Sequence, residues 1–220
     1  MTDKYGGIVP ARDLFALGRR LMHDAPARST PLKQAGLYRD GLMIAMLIAR
    51  PVRLGNFASI EIDRHIRKLN HDYWLLFPAD EVKNHRPLEF PLPPALTEPV
   101  EHYLSVYRPH LLSHRGRYWR EHPGNSLWIS DQGAPLKRAP LRARIQKHTR
   151  ERFGFPVSPH RFRDCAATSI AIEDPEHVGI IMPVLGHAGT TTGERYYNQA
   201  RSLHAAHRFQ SVIDNIRNQP

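Results

Sequence analysis

A nine-residue run without a charged side chain, from Gly41 to Ala49, is the feature that most constrains how this chain folds. Thr30 and Pro31 have the pattern of an N-cap followed by a first helical residue, which predicts a helix that continues through the run and ends at Pro51. The last two turns of this helix are apolar on nearly every side, and such a helix is buried. A membrane span needs about 18 or more apolar residues, so we expect a buried helix and no membrane partner.

The rest of the chain is predicted to be mainly helical, with one small antiparallel sheet near the N-terminal third. Further helices are predicted at 10–24, 97–112, 140–153, 159–172, 175–184, 192–200 and 203–217. Strands are predicted at Ser59–Ile66, Tyr73–Phe77 and Leu88–Leu92, with a turn near Asn84. The 220 residues amount to one large domain or two small ones, and no linker divides them. The fold class that this pattern predicts is α+β, dominated by helices.

The formal net charge is +10, and most of the excess lies in one part of the chain. Residues 101–165 hold 13 Lys and Arg against five acids, and residues 137–152 hold seven against one. This density indicates a polyanionic partner. No aromatic residue is interleaved with the second stretch, so contacts with a duplex backbone are favoured over stacking on single-stranded bases. The residues predicted to contact phosphates are Lys137, Arg138, Arg142, Arg144 and Lys147.

The cysteine and histidine patterns predict neither a metal site nor a cofactor. Cys165 is the single cysteine, which excludes an internal disulfide and a multi-cysteine zinc module and suits a reducing compartment. We expect Cys165 to be packed inside a helix. The pairs His110/His114 and His204/His207 have helical metal-ligand spacing, but no motif fixes an acid or a cysteine near them.

A second helix start, at Ser158 and Pro159, carries two side chains suited to an anion. His160 and Arg163 are three residues apart, so they share one face of the first turn. Backbone N–H groups in a first helical turn have no intrahelical partner and favour an anion. This arrangement predicts a phosphate-binding position, although His-x-x-Arg alone is common by chance.

Six residues occur in the order and the structural contexts of one known catalytic set: Arg53, Lys83, His160, Arg163, His187 and Tyr196. Arg53 follows the predicted buried helix, and Lys83 lies on the predicted hairpin. His187 ends the motif Leu-Gly-His, and Tyr196 follows it by nine residues. In these features the chain resembles the catalytic domain of the tyrosine recombinase (phage integrase) family, over roughly residues 30–200.

The resemblance implies site-specific cleavage and rejoining of duplex DNA without a metal or cofactor. Arg53 and Arg163 would clamp the non-bridging phosphate oxygens, since a guanidinium offers planar forked donors. His160 and His187 would donate further hydrogen bonds or accept the tyrosine proton. Tyr196 would form a covalent 3′-phosphotyrosyl link, which conserves the phosphodiester energy for resealing. Lys83 would protonate the departing 5′-oxygen.

Two departures from the family pattern concern the site. The first motif commonly carries an acid three residues after its arginine, where this chain has Asn56, so we expect weaker support of Arg53. Gly193 stands where a threonine is usual before the nucleophile. The doublet Tyr196-Tyr197 leaves Tyr197 as an alternative nucleophile, with the spacing favouring Tyr196.

A third departure concerns domain organisation. Family members usually carry a helical core-binding domain before the catalytic domain, and here only about thirty residues precede the match. We therefore expect residues 1–29 to be a helix and loop leading into a catalytic domain at 30–220, without the core-binding domain. Two rival functions remain: a non-catalytic duplex-binding module derived from a recombinase, and a type IB topoisomerase-like enzyme.

The resemblance also implies partners and a location. We expect a homotetramer on DNA in the bacterial cytoplasm, associated with the nucleoid. The predicted helix at 203–217 carries apolar residues on an otherwise polar surface. It would dock on a neighbouring protomer or pack on its own domain, and the sequence favours neither.

Overall fold

The computed structural model describes residues 7–114 and 123–173. Its helices are α1 (Ala11–Asp24), α2 (Pro31–Ala49), α3 (Leu54–Ala58), α4 (Thr97–His102), α5 (Arg108–Ser113), α6 (Arg138–Phe153) and α7 (Pro159–Glu173). A π-helical turn, Tyr103–Tyr107, joins α4 to α5. The strands are β1 (Ile66–Leu69), β2 (Asp72–Phe77) and β3 (Leu88–Pro91). The helices predicted at 175–184, 192–200 and 203–217 lie outside the described residues.

Helix α2 is the centre of the core, as its apolar sequence predicts. The Thr30 hydroxyl accepts a hydrogen bond from the Lys33 amide at 3.3 Å, which caps the helix at the predicted residue. Every residue from Ala35 to Ile48 is buried. In the part of the chain that the structure describes, no helix is long and apolar enough to cross a membrane.

Helices α1 and α2 cross with their backbones in contact. A Cβ added at Gly18 would lie 2.7 Å from the Gly41 carbonyl oxygen, and one added at Gly41 would lie 2.6 Å from the Gly18 carbonyl oxygen. Any side chain on either residue would therefore separate the two helices. Close approach of this kind is a reason for glycine inside a helix, where it otherwise costs about 1 kcal/mol relative to alanine.

The sheet is antiparallel with the order β1-β2-β3, and Leu75 pairs with both Ile66 and Phe90. The prediction of a small antiparallel sheet in a mainly helical fold is confirmed. The predicted strand Ser59–Ile66 is wrong in its position, because the first strand begins where the prediction ends. The chain turns at Asp63, whose φ is 64°, so residues before Ile66 cannot continue an extended strand.

The N-terminal segment is joined to α7 by two hydrogen bonds. The Val9 amide donates to Cys165 Sγ at 3.4 Å, and the Ala11 amide donates to Ser169 Oγ at 2.8 Å. Cys165 is fully buried, as predicted, and burial raises the pKa of its thiol to about 11. Helix α1 thus shares one core with α2 and α7, and the predicted division at residue 30 stays a prediction.

Candidate active site

A cleft of about 570 Å³ lies where the segment after α2, helix α3 and the N-terminal ends of α6 and α7 meet. Its charged or titratable lining residues are Arg53, Arg138, Arg142, His160 and Arg163. No acidic residue is among the described residues that line it. Four guanidinium groups around one cleft make a strongly positive potential, which is suited to a ligand with several negative charges.

The segment after α2 positions Arg53. Pro51 ends α2, and Arg53 is the N-cap of α3 with extended backbone angles, φ −62° and ψ 144°. Helix α3 is held by Phe57, which is fully buried, and Trp128 Nε1 donates a hydrogen bond to the Phe57 carbonyl at 2.7 Å. This packing fixes the short helix, and with it the backbone from which the half-buried Arg53 reaches the cleft.

The first turn of α7 carries His160 and Arg163, as the sequence predicts. Helix α7 begins at Pro159, and the Arg161 amide donates to the Ser158 carbonyl at 2.8 Å. His160 is exposed, whereas only 6% of Arg163 is exposed. Arg163 Nη1 donates to the Pro51 carbonyl at 2.6 Å, so this guanidinium is fixed to the segment that bears Arg53.

Two of the five predicted phosphate contacts line the cleft. Arg138 and Arg142 are one turn apart, exposed, and line the cleft. A Cβ added at Gly55 would lie 3.6 Å from Arg138 Nη1, which shows that this guanidinium lies close to α3. The remaining three, Lys137, Arg144 and Lys147, are not among the residues that line the cleft.

Arg144 belongs to a partly buried ion cluster between α6 and α2. Its Nη1 donates to Asp40 Oδ2 at 3.1 Å, and its Nη2 donates to Asp131. Arg39, which is fully buried, donates to Asp40 at 2.7 Å, and His148 Nε2 lies 3.0 Å from Asp40 Oδ2. Burial alone would raise the pKa of Asp40, but Arg39, His148 and Arg144 together hold it well below its usual value. The cluster fastens α6 to α2.

The sequence reasoning missed this cluster and assigned Arg144 to phosphate contact on charge alone. The charged pair Arg39-Asp40, directly before the apolar run of α2, is the sequence feature that indicates such a cluster. A charged pair in a buried helix requires partners, because an uncompensated buried charge is strongly destabilising. The densest basic run of the chain, residues 137–152, contains two such partners for Asp40, Arg144 and His148.

Lys83 is not among the residues that line the cleft. It is exposed, on the turn between β2 and β3, where the His85 amide donates to the Val82 carbonyl at 2.8 Å. His187 and Tyr196 lie outside the described residues. The structure therefore brings together three of the six predicted catalytic residues, Arg53, His160 and Arg163, and places Lys83 on the predicted hairpin turn. Within the described ranges, no group of three His, Cys, Asp or Glu side chains could hold a metal ion.

Known structures share this architecture. The XerH site-specific recombinase bound to palindromic difH substrate, in a post-cleavage complex, superposes with a TM-score of 0.66 at 15% identity, over 94% of this chain and 54% of that one. The XerA recombinase gives a TM-score of 0.56 at 17% identity, over 88% of this chain and 61% of that one. The described part of the chain thus has the fold of a tyrosine recombinase catalytic domain.

A curated relative extends the likeness to sequence. Tyrosine recombinase XerD of Chlamydia pneumoniae is 28% identical over 111 residues, which are 50% of this chain and 34% of the relative. The aligned stretch thus spans about a third of the relative, and the superposed structures are matched over little more than half of their length. No protein-family model matches the chain. Together with the fold, this relative supports a domain of the tyrosine recombinase family.

Proposed function

We propose that this chain cleaves and rejoins duplex DNA through a covalent link to Tyr196. The observation that carries the proposal is the cleft, which joins Arg53 from the segment after α2 to His160 and Arg163 from α7, more than a hundred residues along the chain. These are the residues that the resemblance assigns to the scissile phosphate. A structural role alone would not require so many like charges around one open cleft.

The chemistry needs a site that gains affinity as negative charge develops. Attack on a phosphodiester places additional charge on the two non-bridging oxygens, and the two guanidiniums of Arg53 and Arg163 offer forked donors to them. Fixed donors of this kind are usually the largest contribution to catalysis, each worth roughly 3–4 kcal/mol of transition-state stabilisation. Arg163 is suited to this role because its bond to Pro51 fixes its position before substrate binds.

The reaction balances without a metal or cofactor. The Tyr196 phenol loses its proton to a base, for which His160 and His187 are the candidates, and its oxygen bonds to phosphorus. The bond from phosphorus to the 5′-oxygen breaks, and that oxygen takes a proton from Lys83. Attack by a 5′-hydroxyl on the phosphotyrosyl link reverses these steps and reseals the strand.

Arg138 and Arg142 extend the cleft along α6, which supports contact with phosphates that flank the scissile one. Structural relatives are consistent with a duplex partner: lambda integrase residues 75–356 were solved as a dimer bound to a COC′ core site, with a TM-score of 0.52. We propose that this chain also acts as an oligomer on DNA, with a tetramer as the expected form. Bacterial cytoplasm, at the nucleoid, is the proposed location.

The decisive experiment is covalent capture. The protein is incubated with a randomised, end-labelled duplex library, denatured in SDS, and scored for labelled protein, and the captured DNA is sequenced to define the cleaved position. We expect an adduct with the natural sequence and with Tyr197→Phe, and none with Tyr196→Phe. Both variants should bind the recovered duplex as tightly as the natural protein, since neither change removes a charge.

Other outcomes point to the rival functions. Salt-sensitive duplex binding without an adduct from any variant would favour a non-catalytic binding module. Adducts without sequence preference, together with relaxation of supercoiled plasmid, would favour a topoisomerase-like activity. An adduct that survives in Tyr196→Phe and is lost in Tyr197→Phe would move the nucleophile by one residue.

A further inference from the structure

Asn56 stands where the recombinase pattern carries an acid, and its side chain contacts the segment that bears Lys83. Asn56 Nδ2 donates a hydrogen bond to the Glu81 carbonyl at 3.0 Å. Asn56 and Arg53 are three residues apart at α3, and both line the cleft. A carboxylate has no hydrogen to donate to a carbonyl at neutral pH, so the asparagine makes a contact that the usual acid cannot make.

Glu81 is anchored from a second direction by its carboxylate. His65 Nε2 lies 2.7 Å from Glu81 Oε2, and Arg64 pairs with the other carboxylate oxygen. His65 is 2% exposed, and its Nδ1 accepts a hydrogen bond from the Glu61 amide at 3.0 Å. This leaves Nε2 as the protonated nitrogen that donates to Glu81. The residue two positions before Lys83 is therefore held by both its backbone and its side chain.

The residues of the turn connect the anchored Glu81 rigidly to Lys83. Val82, between Glu81 and Lys83, is 1% exposed and packs in the core. The hydrogen bond from the His85 amide to the Val82 carbonyl closes the turn around Lys83. The Lys83 side chain is exposed, whereas the backbone beside it is held on the side of α3 by the Asn56 bond to Glu81.

We propose that Asn56 is a positioning residue for Lys83: it couples the α3 segment, which carries Arg53, to the β2–β3 turn. The coupling sets where the Lys83 ammonium lies relative to a phosphate bound in the arginine cleft. This inference rests on the proposed function, in which Lys83 protonates the departing 5′-oxygen. It replaces the expectation that the change from acid to Asn56 only weakens the support of Arg53.

A substrate with sulfur at the scissile 5′-position separates proton delivery from all other steps. The bond that breaks is then between phosphorus and sulfur, and the leaving group is a thiolate. A thiol has a pKa of about 8.5, far below that of an alcohol, so a thiolate departs without a proton. A variant that fails only in placing Lys83 is slow on the 5′-oxygen substrate and normal on the 5′-sulfur substrate.

The experiment compares adduct formation by the full chain on the two substrates, both made with the cleavage site recovered by covalent capture. We expect Asn56→Asp to be roughly 10- to 100-fold slower than the natural protein on the oxygen substrate, because small displacements of a catalytic group have effects of this size. On the sulfur substrate its rate should equal that of the natural protein. Lys83→Ala provides the reference pattern, with a larger loss on oxygen and the same recovery on sulfur.

Gln34→Glu is the matched control. The Gln34 amide also donates to backbone carbonyls, those of Pro26 at 3.1 Å and Arg28 at 2.9 Å, but it lies outside the cleft. The same change from amide to acid at this position should leave both rates unchanged. Asn56→Ala and Glu81→Ala are measured in parallel, so that a folding failure in one variant leaves two others with the same expected recovery on sulfur.

Equal slowing of Asn56→Asp on both substrates would overturn the inference, since Asn56 would then act on phosphate binding or on the fold. An unchanged rate on the oxygen substrate would overturn it as well. Absence of an adduct from the natural protein on either substrate is a different result, because it would remove the proposed function itself.

Discussion

Arg163 Nη1 donates a 2.6 Å hydrogen bond to the carbonyl of Pro51, and this bond joins the start of α7 to the segment that follows α2. Arg53 is two residues further along from Pro51 and lines the same cleft. The buried Arg163 guanidinium thus uses one of its N–H groups to hold itself next to the backbone that carries Arg53. A rigid pair of this kind needs no reorganisation when a phosphate enters, which is the condition for efficient electrostatic stabilisation.

Arg163→Lys should therefore impair the reaction far more than it impairs folding. A lysine ammonium has three donors on a single nitrogen but lacks the planar fork, so it cannot hold Pro51 and a phosphate oxygen in fixed directions. We expect adduct formation to fall roughly 100- to 1,000-fold, measured by single-turnover kinetics. Arg161→Lys, on the same helix and outside the cleft lining, should leave the rate within about twofold.

Arg138→Gln and Arg142→Gln should each weaken duplex binding in a salt-dependent way. Loss of one phosphate contact reduces the slope of log K against log salt by about 1, which titrations between 50 and 200 mM salt would reveal. Arg144→Gln is the contrasting variant, because that residue is paired with Asp40 and Asp131. It should lower thermal stability and leave the slope unchanged. A reduced slope for Arg144→Gln alone would reverse the assignments of Arg144 and the two cleft arginines.

Asp40→Asn should lower the free energy of unfolding by about 3 kcal/mol, since buried Arg39 loses its nearest carboxylate while Asp131, at 2.9 Å, still pairs with it. Urea unfolding at pH 7 measures this loss. Asp13→Asn is the control, because Asp13 is exposed and lies 3.9 Å from Arg12. It should change the free energy of unfolding by less than about 1 kcal/mol.

Asp40 also predicts how stability depends on pH. Its pKa is lower in the folded protein than in the unfolded chain, where it is about 3.9. The stabilisation is complete above that unfolded value and is lost as pH falls toward the folded one. We expect the difference in unfolding free energy between the natural protein and Asp40→Asn to shrink as pH is lowered below about 4. A constant difference down to pH 2 would contradict the charge cluster as its source.

Gly41→Ala should destabilise the protein by more than about 2 kcal/mol, because the new methyl group would meet the Gly18 carbonyl at 2.6 Å. Gly36→Ala tests the same change elsewhere in α2, where the nearest atom would be Asp131 Oδ1 at 3.4 Å. There the gain in helix propensity, up to about 1 kcal/mol, should offset the contact. Thermal unfolding of the two variants compares these expectations directly.

Local chemistry made the helices predictable. Thr30 and Pro31 define the start of α2, and Pro159 the start of α7, since caps and helix-initiating prolines act within a few residues. The first strand was misplaced because apolar alternation continues through Asp63. A left-handed turn at a residue other than glycine leaves no clear mark in the hydrophobic pattern.

The arginine cleft was predictable only through the order of its motifs. Residues as distant as Arg53 and Arg163 meet because α2 and α7 pack together, and no local pattern encodes that contact. For Arg144, sequence reasoning led to the wrong assignment. Its charge suggested a phosphate contact, yet its two acidic partners lie 104 and 13 residues away in sequence. Which basic side chain faces solvent and which closes an ion cluster depends on the tertiary fold.

The crossing of α1 and α2 at Gly18 and Gly41 leaves no layer of side chains between the two helices that could yield under load. The two helices should therefore move as one rigid unit. The two helices run antiparallel, since Gly18 lies against Ala45 and Met22 against Gly41, so the amino-terminal segment and the stretch that bears Arg53 lie at the same end of the pair. Both are also bonded to α7, Val9 through Cys165 and Pro51 through Arg163, so a displacement of the segment before α1 would act directly beside the arginine cleft.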